Sequence, residues 1–356
     1  MLAIELFAGA GGLGMGVSRA GFTPVLVVER DRWCCDTLRE NRTIDGSPIK
    51  GWPRPLETDV RLVDYTPYEG KVHIVTGGPP CQPFSLGGRH KASDDHRDMW
   101  SEAVRAVLET RPPAFIFENV KGLARQSFSD YLGYIILQLQ YPSLKKSKSH
   151  TWTDHLARLQ KHHTGRGELE YRVVHKLLNA ANYGVPQRRE RVVFVGFRSD
   201  IEAKWTFPAE THSLDALLLE QFRTGEYWDR HKVAAKHRCF TERLSDRGRR
   251  ITDRPSRQPW RTVRDALVGL PDPACDPLNS QSFHNHRFQP GARSYLGHTG
   301  SPFDAPAKTL KAGVHGVPGG ENMLRLANGH SRYFTVRESA RLQTFPDNYA
   351  LHGVWS

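Results

Sequence analysis

The sequence predicts an α/β protein: an open, mostly parallel sheet with helices on both faces, joined to a smaller, loop-rich domain. Three observations carry that expectation. The chain opens with an apolar strand, a glycine-rich turn and a helix-like run, the order of a nucleotide-binding βαβ unit. Short β-branched runs that end on a polar or glycine residue then alternate with helical segments, as buried parallel strands do. After residue 200 the regularity gives way to a basic interval without clear periodicity.

Leu2 to Phe7 reads as the first strand, and Phe7-Ala8-Gly9-Ala10-Gly11-Gly12-Leu13-Gly14 as the turn, with a helix ending near Gly21. Glycines let the backbone approach a ligand closely, and a helix N-terminus offers unpaired N–H groups. Gly9, Gly11 and Gly14 satisfy G-x-G-x-x-G, a weak signal alone because many cofactor folds share it. The second strand, Pro24 to Val28, ends at Glu29, where an acid can accept from ribose hydroxyls; the alternative is a solvated acid ahead of a helix opening at Asp31. Asp59 follows another strand end and can accept from an adenine amino group or serve as a plain turn residue.

Val72 to Thr76 reads as a buried strand, and Gly77-Gly78-Pro79-Pro80-Cys81-Gln82-Pro83-Phe84-Ser85 as the loop leaving its carboxyl end. Glycine and proline together stiffen such a loop, which suits holding one thiol still. A buried, inert cysteine is the competing reading. A helix from Arg97 to Glu109 stops at Pro112-Pro113, and Ala114 to Val120 is an apolar strand that delivers Glu118 near its end. Apolar surroundings favour the protonated carboxyl, so Glu118 is a candidate acid; a capped strand terminus is the alternative.

Residues 141–171 form a polar, Lys- and His-bearing insertion, read as a surface excursion. Strands resume at Tyr171 to Leu178 and Val192 to Phe197, with Arg189 and Arg191 spaced to project to one side and clamp a carbonyl or phosphate. Between Arg223 and Arg264, thirteen Lys/Arg face five Asp/Glu with aromatic residues interspersed, a pattern suited to phosphate contact and stacking. Thr335-Val336-Arg337-Glu338 is a capping box that opens a helix to about Gln343, ended by Pro346.

The formal charge of +12 favours a polyanionic partner, nucleic acid first. Five scattered cysteines without a C-x-x-C pair suggest neither a disulfide framework nor a metal site, and point to a reducing, cytoplasmic setting. No stretch approaches the roughly 18 apolar residues of a membrane span.

Taken together, Phe7-Ala8-Gly9-Ala10-Gly11-Gly12, Gly-Pro-Pro-Cys81-Gln-Pro-Phe-Ser, Glu118-Asn119-Val120, Gln187-Arg188-Arg189-Glu190-Arg191 and Arg341-Leu342-Gln343-Thr344-Phe345-Pro346-Asp347 resemble, in order, the motif series of the DNA (cytosine-5)-methyltransferases. The resemblance covers residues 1–200 and 304–353 and implies a Rossmann-like methyltransferase sheet with S-adenosylmethionine as cofactor. It implies Cys81 as the nucleophile that attacks cytosine C6, Glu118 as the group that stabilises N3, and Arg189 and Arg191 as contacts to the carbonyl side of the base. Phe7, Gly9, Gly11, Gly12, Glu29, Asp59 and Pro80 would line the cofactor site. The partner is double-stranded DNA with the target base swung out of the stack. Gln82, Ser85, Asn285, His286, Arg287 and Gly316 are the candidate DNA contacts.

The resemblance also implies an organisation: residues 1–200 catalytic, 201–333 target recognition, and 334–356 returning to the catalytic domain. Two departures are visible. Arg30 stands where many relatives carry an apolar or aromatic residue beside the adenine. The family's last motif, Gly-Asn-x-Val-Pro-like, does not occur before Ser356, so a partner chain or a further segment is expected to complete the cofactor pocket, with weak cofactor binding until it does. Rival readings stay open at this point. A nicotinamide-dependent oxidoreductase leaves Cys81, Glu118 and the arginine pair unexplained. The other two are a relative acting on tRNA and a non-catalytic or partner-dependent DNA-binding subunit.

Overall fold

The computed structural model describes residues 1–80, 99–147, 149–162, 168–238, 242–296, 299–311, 321–326 and 328–354. Cys81, Gln82, Ser85 and Gly316 lie outside the described residues. The chain divides into two compact units, Met1–Leu177 with Arg191–Phe207, and Leu178–Glu190 with Pro208–Ser356.

The first unit is organised on a seven-stranded sheet. Its strands in chain order are β1 (Leu2–Leu6), β2 (Thr23–Glu29), β3 (Leu56–Glu57), β4 (Ile74–Gly77), β5 (Ala114–Val120), β6 (Tyr171–Asn179) and β7 (Glu190–Arg198), lying side by side as β3-β2-β1-β4-β5-β7-β6. The pairs β3/β2, β2/β1, β1/β4 and β4/β5 are parallel, whereas β7 runs antiparallel to β5 and sets Arg191 opposite Val120. Strand order therefore reverses between β1 and β4. At such a reversal, ligands bind in the crevice outside the carboxyl ends of the strands.

Among the described residues, five α-helices accompany these strands: α1 (Gly12–Arg19), α2 (Arg32–Asn41), α3 (Trp100–Thr110), α4 (Ser129–Gln140) and α5 (Trp152–Gln160). The period of two in β5 shows how both faces are covered. Phe115 and Phe117 enter the large core with Leu6, Trp100, Val107 and Ile135, while Ala114 and Ile116 meet the smaller cluster of Ala3, Val17 and Ile74 on the α1 side. Asp31 accepts from the Cys34 backbone N–H at 2.9 Å, which fixes the start of α2.

The 141–171 insertion is more than a surface excursion. Thr151 and Asp154 cap α5 reciprocally, and Trp152 packs its ring 5.7 Å from Tyr131 and 5.6 Å from Tyr134. His155 is buried, with Nδ1 2.9 Å from the Tyr134 hydroxyl and Nε2 2.7 Å from the Leu144 carbonyl oxygen. Burial holds its pKa below the usual histidine range, so the ring serves as a neutral bridge.

The second unit has no large sheet among its described residues. Its elements are β8 (His212–Ser213), α6 (Leu214–Leu219), α7 (Glu226–His231), α8 (Glu242–Arg249), β9 (Gln258–Pro259), α9 (Val263–Leu267), α10 (Pro277–Ser280), β10 (Ser301–Pro302), β11 (Met323–Arg325), β12 (Ser331–Tyr333) and α11 (Val336–Leu342). One small core joins Val263, Ala307, Leu324, Phe334 and Leu342; another joins Leu217, Tyr227, Trp228 and Val233. Residues 334–356, expected to return to the catalytic domain, belong instead to this unit. The reason is packing: Phe334 and Leu342 bury against Val263 of α9, and the buried Arg337 donates to the carbonyls of His284, Pro346 and Tyr349.

Candidate active site

The crevice where strand order reverses is built from two turns. After β1 the chain folds into left-handed conformations at Phe7 (φ 53°), Gly9 (φ 53°) and Gly11 (φ 84°) before entering α1. The glycines take these angles readily, whereas at Phe7 the backbone is strained, a feature that clusters at ligand-binding positions. Gly11 caps α1 without a side-chain hydrogen bond of its own, and of the first-turn N–H groups that follow it, that of Gly14 is taken by the buried Glu5. Glu29 ends β2 beside this turn. Its Oε2 accepts from the Gly9 N–H at 2.7 Å and its Oε1 from the N–H groups of Arg30 and Asp31, each at 2.7 Å. The carboxylate is thereby oriented and keeps lone pairs for a hydroxyl donor.

Asp59 follows β3 and is more engaged than the sequence suggests. Arg61 donates to it through Nε at 2.9 Å and Nη2 at 2.6 Å, and Arg30 Nη1 stands 3.6 Å away. The Arg61 hydrogen bonds hold the Asp59 carboxyl down at about 2. Arg30, the residue that departs from the family pattern, therefore faces this carboxylate.

The second turn leaves β4 as Gly77-Gly78-Pro79-Pro80. Asn119, buried on β5, donates from Nδ2 to the Pro79 carbonyl at 3.0 Å and accepts from the Val120 N–H through Oδ1 at 2.8 Å. Its neighbour Glu118 projects the other way along the strand. A Cβ added at Gly78 would sit 3.1 Å from Glu118 Oε1, so the absent side chain makes room for the carboxylate. Arg191 on β7 brings Nε to 3.3 Å from Glu118 Oε2, an oxygen that is buried without a hydrogen-bond partner. Burial works against the Arg191 charge and the facing carboxylate works for it. Pro80, the residue bonded to Cys81, is exposed, and its carbonyl lies 3.5 Å from the Met99 N–H.

The structure thus brings Phe7, Gly9, Gly11, Gly12 and Glu29 to one turn, and Pro80, Glu118 and Arg191 to its neighbour. Arg189 lies one residue ahead of β7, which begins at Glu190, and its carbonyl accepts from the Ala180 N–H at 2.9 Å. Two DNA-contact candidates are scaffold residues. His286 is buried, with Nδ1 2.8 Å from Thr335 Oγ1 and Nε2 2.8 Å from the Pro271 carbonyl oxygen, which leaves the ring no polar atom for a base. Asn285 uses both ends of its amide on Leu351, donating to O at 2.9 Å and accepting from N at 3.0 Å. Arg287 is exposed. Sequence reasoning missed Asn119 and Gly78 as the residues that seat the cysteine loop against Glu118; their adjacency to the motif residues was the available signal.

An open α/β sheet with a glycine turn, an oriented acid after β2 and a glutamate at the cysteine loop defines a nucleotide-cofactor enzyme of the Rossmann-like class. The C-5 cytosine-specific DNA methylase family model matches residues 1–141 and 153–354, its gap falling at the start of the insertion. The chain is 31% identical over 353 residues to Type II methyltransferase M.PspPI of Psychrobacter sp. (strain TA137), covering 98% of this chain and 72% of that one. It is 29% identical over 361 residues to M.Eco47II of Escherichia coli, covering 99% and 72%. Among solved structures, an Escherichia coli DNA modification methyltransferase encoded within a prophage shares the fold with a TM-score of 0.55 and 19% identity, over 99% of this chain and 90% of that one. The chain belongs to the C-5 cytosine-specific DNA methylase family and is a DNA (cytosine-5)-methyltransferase. No helix among the described residues is long and apolar enough to cross a membrane.

Proposed function

We propose that the chain methylates C5 of cytosine in duplex DNA through a covalent bond between Cys81 and C6 of the base, with S-adenosylmethionine as the methyl donor. The observation that carries this reading is the packing of the Glu118 carboxylate against Gly78, in the turn that leads to Cys81. Cytosine C5 is a poor nucleophile. Addition of the Cys81 thiolate to C6 pushes an electron pair toward N3 and makes C5 enamine-like. Glu118 then hydrogen-bonds or protonates N3, and Arg191 holds that carboxylate in place. Once C5 carries the methyl group, loss of its proton to a base drives the electron pair back and expels the Cys81 thiolate, leaving 5-methylcytosine.

The methyl donor supplies an electrophilic methyl sulfonium. Phe7, Gly9, Gly11, Gly12 and Pro80 would line its site and Glu29 would take its ribose, which the fixed, partly unspent carboxylate suits. Asp59 would take the adenine amino group by sharing an oxygen now given to Arg61. Arg189 would contact the base's carbonyl side, and residues 201–333 would recognise the target. Gln82, Ser85, Arg287 and Gly316 remain the DNA-contact candidates. Among the described cysteines, burial and the nearby Glu29 charge push Cys34 and Cys35 up to about 12, far from a thiolate. The relatives' Type II names support a restriction-modification role in a prokaryotic cytoplasm.

The test is incubation with tritiated S-adenosylmethionine and a pool of duplexes carrying 5-fluorocytosine in varied contexts, because fluorine at C5 blocks the final proton loss. A labelled covalent adduct that disappears in Cys81→Ser is expected. Label on tRNA alone, or an adduct that survives Cys81→Ser, overturns the reading.

A further inference from the structure

Within the basic interval of the second unit, most arginines are already spent. Arg230 pairs with Glu220 at 3.0 Å, Arg254 with Glu226 at 2.8 Å, Arg257 with Glu210 at 2.6 Å and Arg264 with Asp304 at 2.7 Å. Helix α8 is different. Its Ser245 and Gly248 are buried, and a Cβ at Gly248 would meet Phe222 Cδ2 at 2.6 Å and the Leu218 carbonyl oxygen at 2.9 Å, so the helix sits directly on the α6 backbone at Leu218 and on the Phe222 side chain. With the helical spacing of α8 carried one residue past its last residue, Arg249, the positions of Arg243, Arg247 and Arg250 fall within about 60° of one another and opposite that seated face. All three are exposed and line one shallow groove with Glu242 and Asp246. Asp215 takes Arg247 at 2.7 Å, and Asp246 stands 3.9 Å from Arg249. Among the described residues, no acid pairs with Arg243 or Arg250.

We propose that the outer face of α8 is a phosphate-contact surface for the DNA backbone, with Arg243 and Arg250 as its two free cations and Arg247 held between them. This rests on the DNA methyltransferase reading above. Helical spacing from residue 243 to 250 rises about 10 Å, the axial length over which one strand of the duplex presents about three charges at 3.4 Å each. A helix seated on backbone presents those guanidiniums from a rigid base, so ordering them on a phosphate run loses less entropy than ordering loop arginines. The contact is sequence-independent: it sets register and affinity and leaves base choice to other residues.

The experiment measures binding of a fluorescent 30-base-pair duplex by anisotropy between 50 and 200 mM salt, for the wild type, the Arg243→Gln/Arg250→Gln double variant and Arg257→Gln. Each phosphate contact contributes about 0.9 to the slope of log K against log salt. The double variant is expected to lose about 2 from that slope and at least tenfold in affinity at 100 mM salt, while Arg257→Gln keeps the wild-type slope. A wild-type slope in the double variant overturns the α8 surface and leaves the enzyme reading standing. A wild type that does not bind duplex at all overturns the reading on which the surface rests.

Discussion

Glu118 on β5 and Glu338 on α11 each face an arginine, yet the two sites differ in how much of the carboxylate is used. Glu118 keeps a third of its side chain exposed, meets Arg191 at one point 3.3 Å away and leaves an oxygen without a hydrogen bond. Glu338 is buried, accepts from Arg332 through both oxygens at 2.7 Å each, and also takes the Thr335 N–H at 2.8 Å. The first unit draws its stability from an apolar sheet sandwiched by helices, so a strand-end group such as Glu118 can be left under-satisfied and available to a ligand. The second unit has small cores and ties its loops with charged and polar side chains, which are consumed in doing so. Polar residues in the two units therefore fail in different ways when changed.

The largest expected effect is on chemistry. Glu118→Gln removes the acid while keeping the shape beside Gly78, and methyl transfer is expected to fall by about 100- to 10,000-fold. The melting temperature should hardly move, because a single ion-pair contact at a partly exposed carboxylate contributes about 1 kcal/mol or less. Single-turnover methylation together with a thermal melt checks both halves. A variant that unfolds instead would place Glu118 with the scaffold residues and erase the contrast.

Next in size is the reverse case. Glu338→Gln removes the carboxylate from the buried Arg332, which keeps the Tyr333 carbonyl at 3.1 Å from Nη1 but, among the described residues, has no other acid nearer than Asp272, 3.6 Å from Nε. Stability should drop by about 3 kcal/mol, read as a lower urea midpoint. A loss below about 1 kcal/mol, the range of exposed pairs, would show that the second unit does not depend on its buried pairs.

The same contrast decides what the sequence discloses. Glu29 and Glu118 were legible because an apolar strand pointed at each, and the capping box at Thr335 was legible because it is local. The role of Asp59 was half legible: its partner Arg61 is only two residues on, but an acid at a strand end reads the same with or without it. His286 and Asn285 looked like DNA readers because a polar, aperiodic stretch gives no sign of burial. Their partners, Thr335 and Leu351, lie about 50 and 66 residues away. Placement of residues 334–356 was hidden for the same reason, since the bonds that fix Arg337 to the carbonyl of His284 are nonlocal. In α5 the signal was present and overridden by composition: Trp152, His155 and Leu159 share one helix face and are the residues that dock.

The effect smallest at any one pH step lies inside the first unit, where one polar residue behaves as those of the second do. Glu5 on β1 is buried, takes a hydrogen bond from the Thr76 hydroxyl, and accepts from the backbone N–H of Gly14 in the first turn of α1. Burial outweighs those two bonds and raises its pKa from 4.5 to about 7. The folded protein then holds a proton that the unfolded chain releases near 4.5, so Glu5 favours folding most below that pH. Its contribution declines as pH rises toward about 7 and is flat above it. Between those values the slope is at most about 1.4 kcal/mol per pH unit. Glu5→Gln mimics the protonated form, so the melting temperature of the wild type minus that of the variant should fall steadily from pH 5 to pH 7 and level off by pH 8. A difference that does not change with pH would mean that Glu5 stays charged under the glycine turn, and that even the buried acids of the first unit are kept ionised.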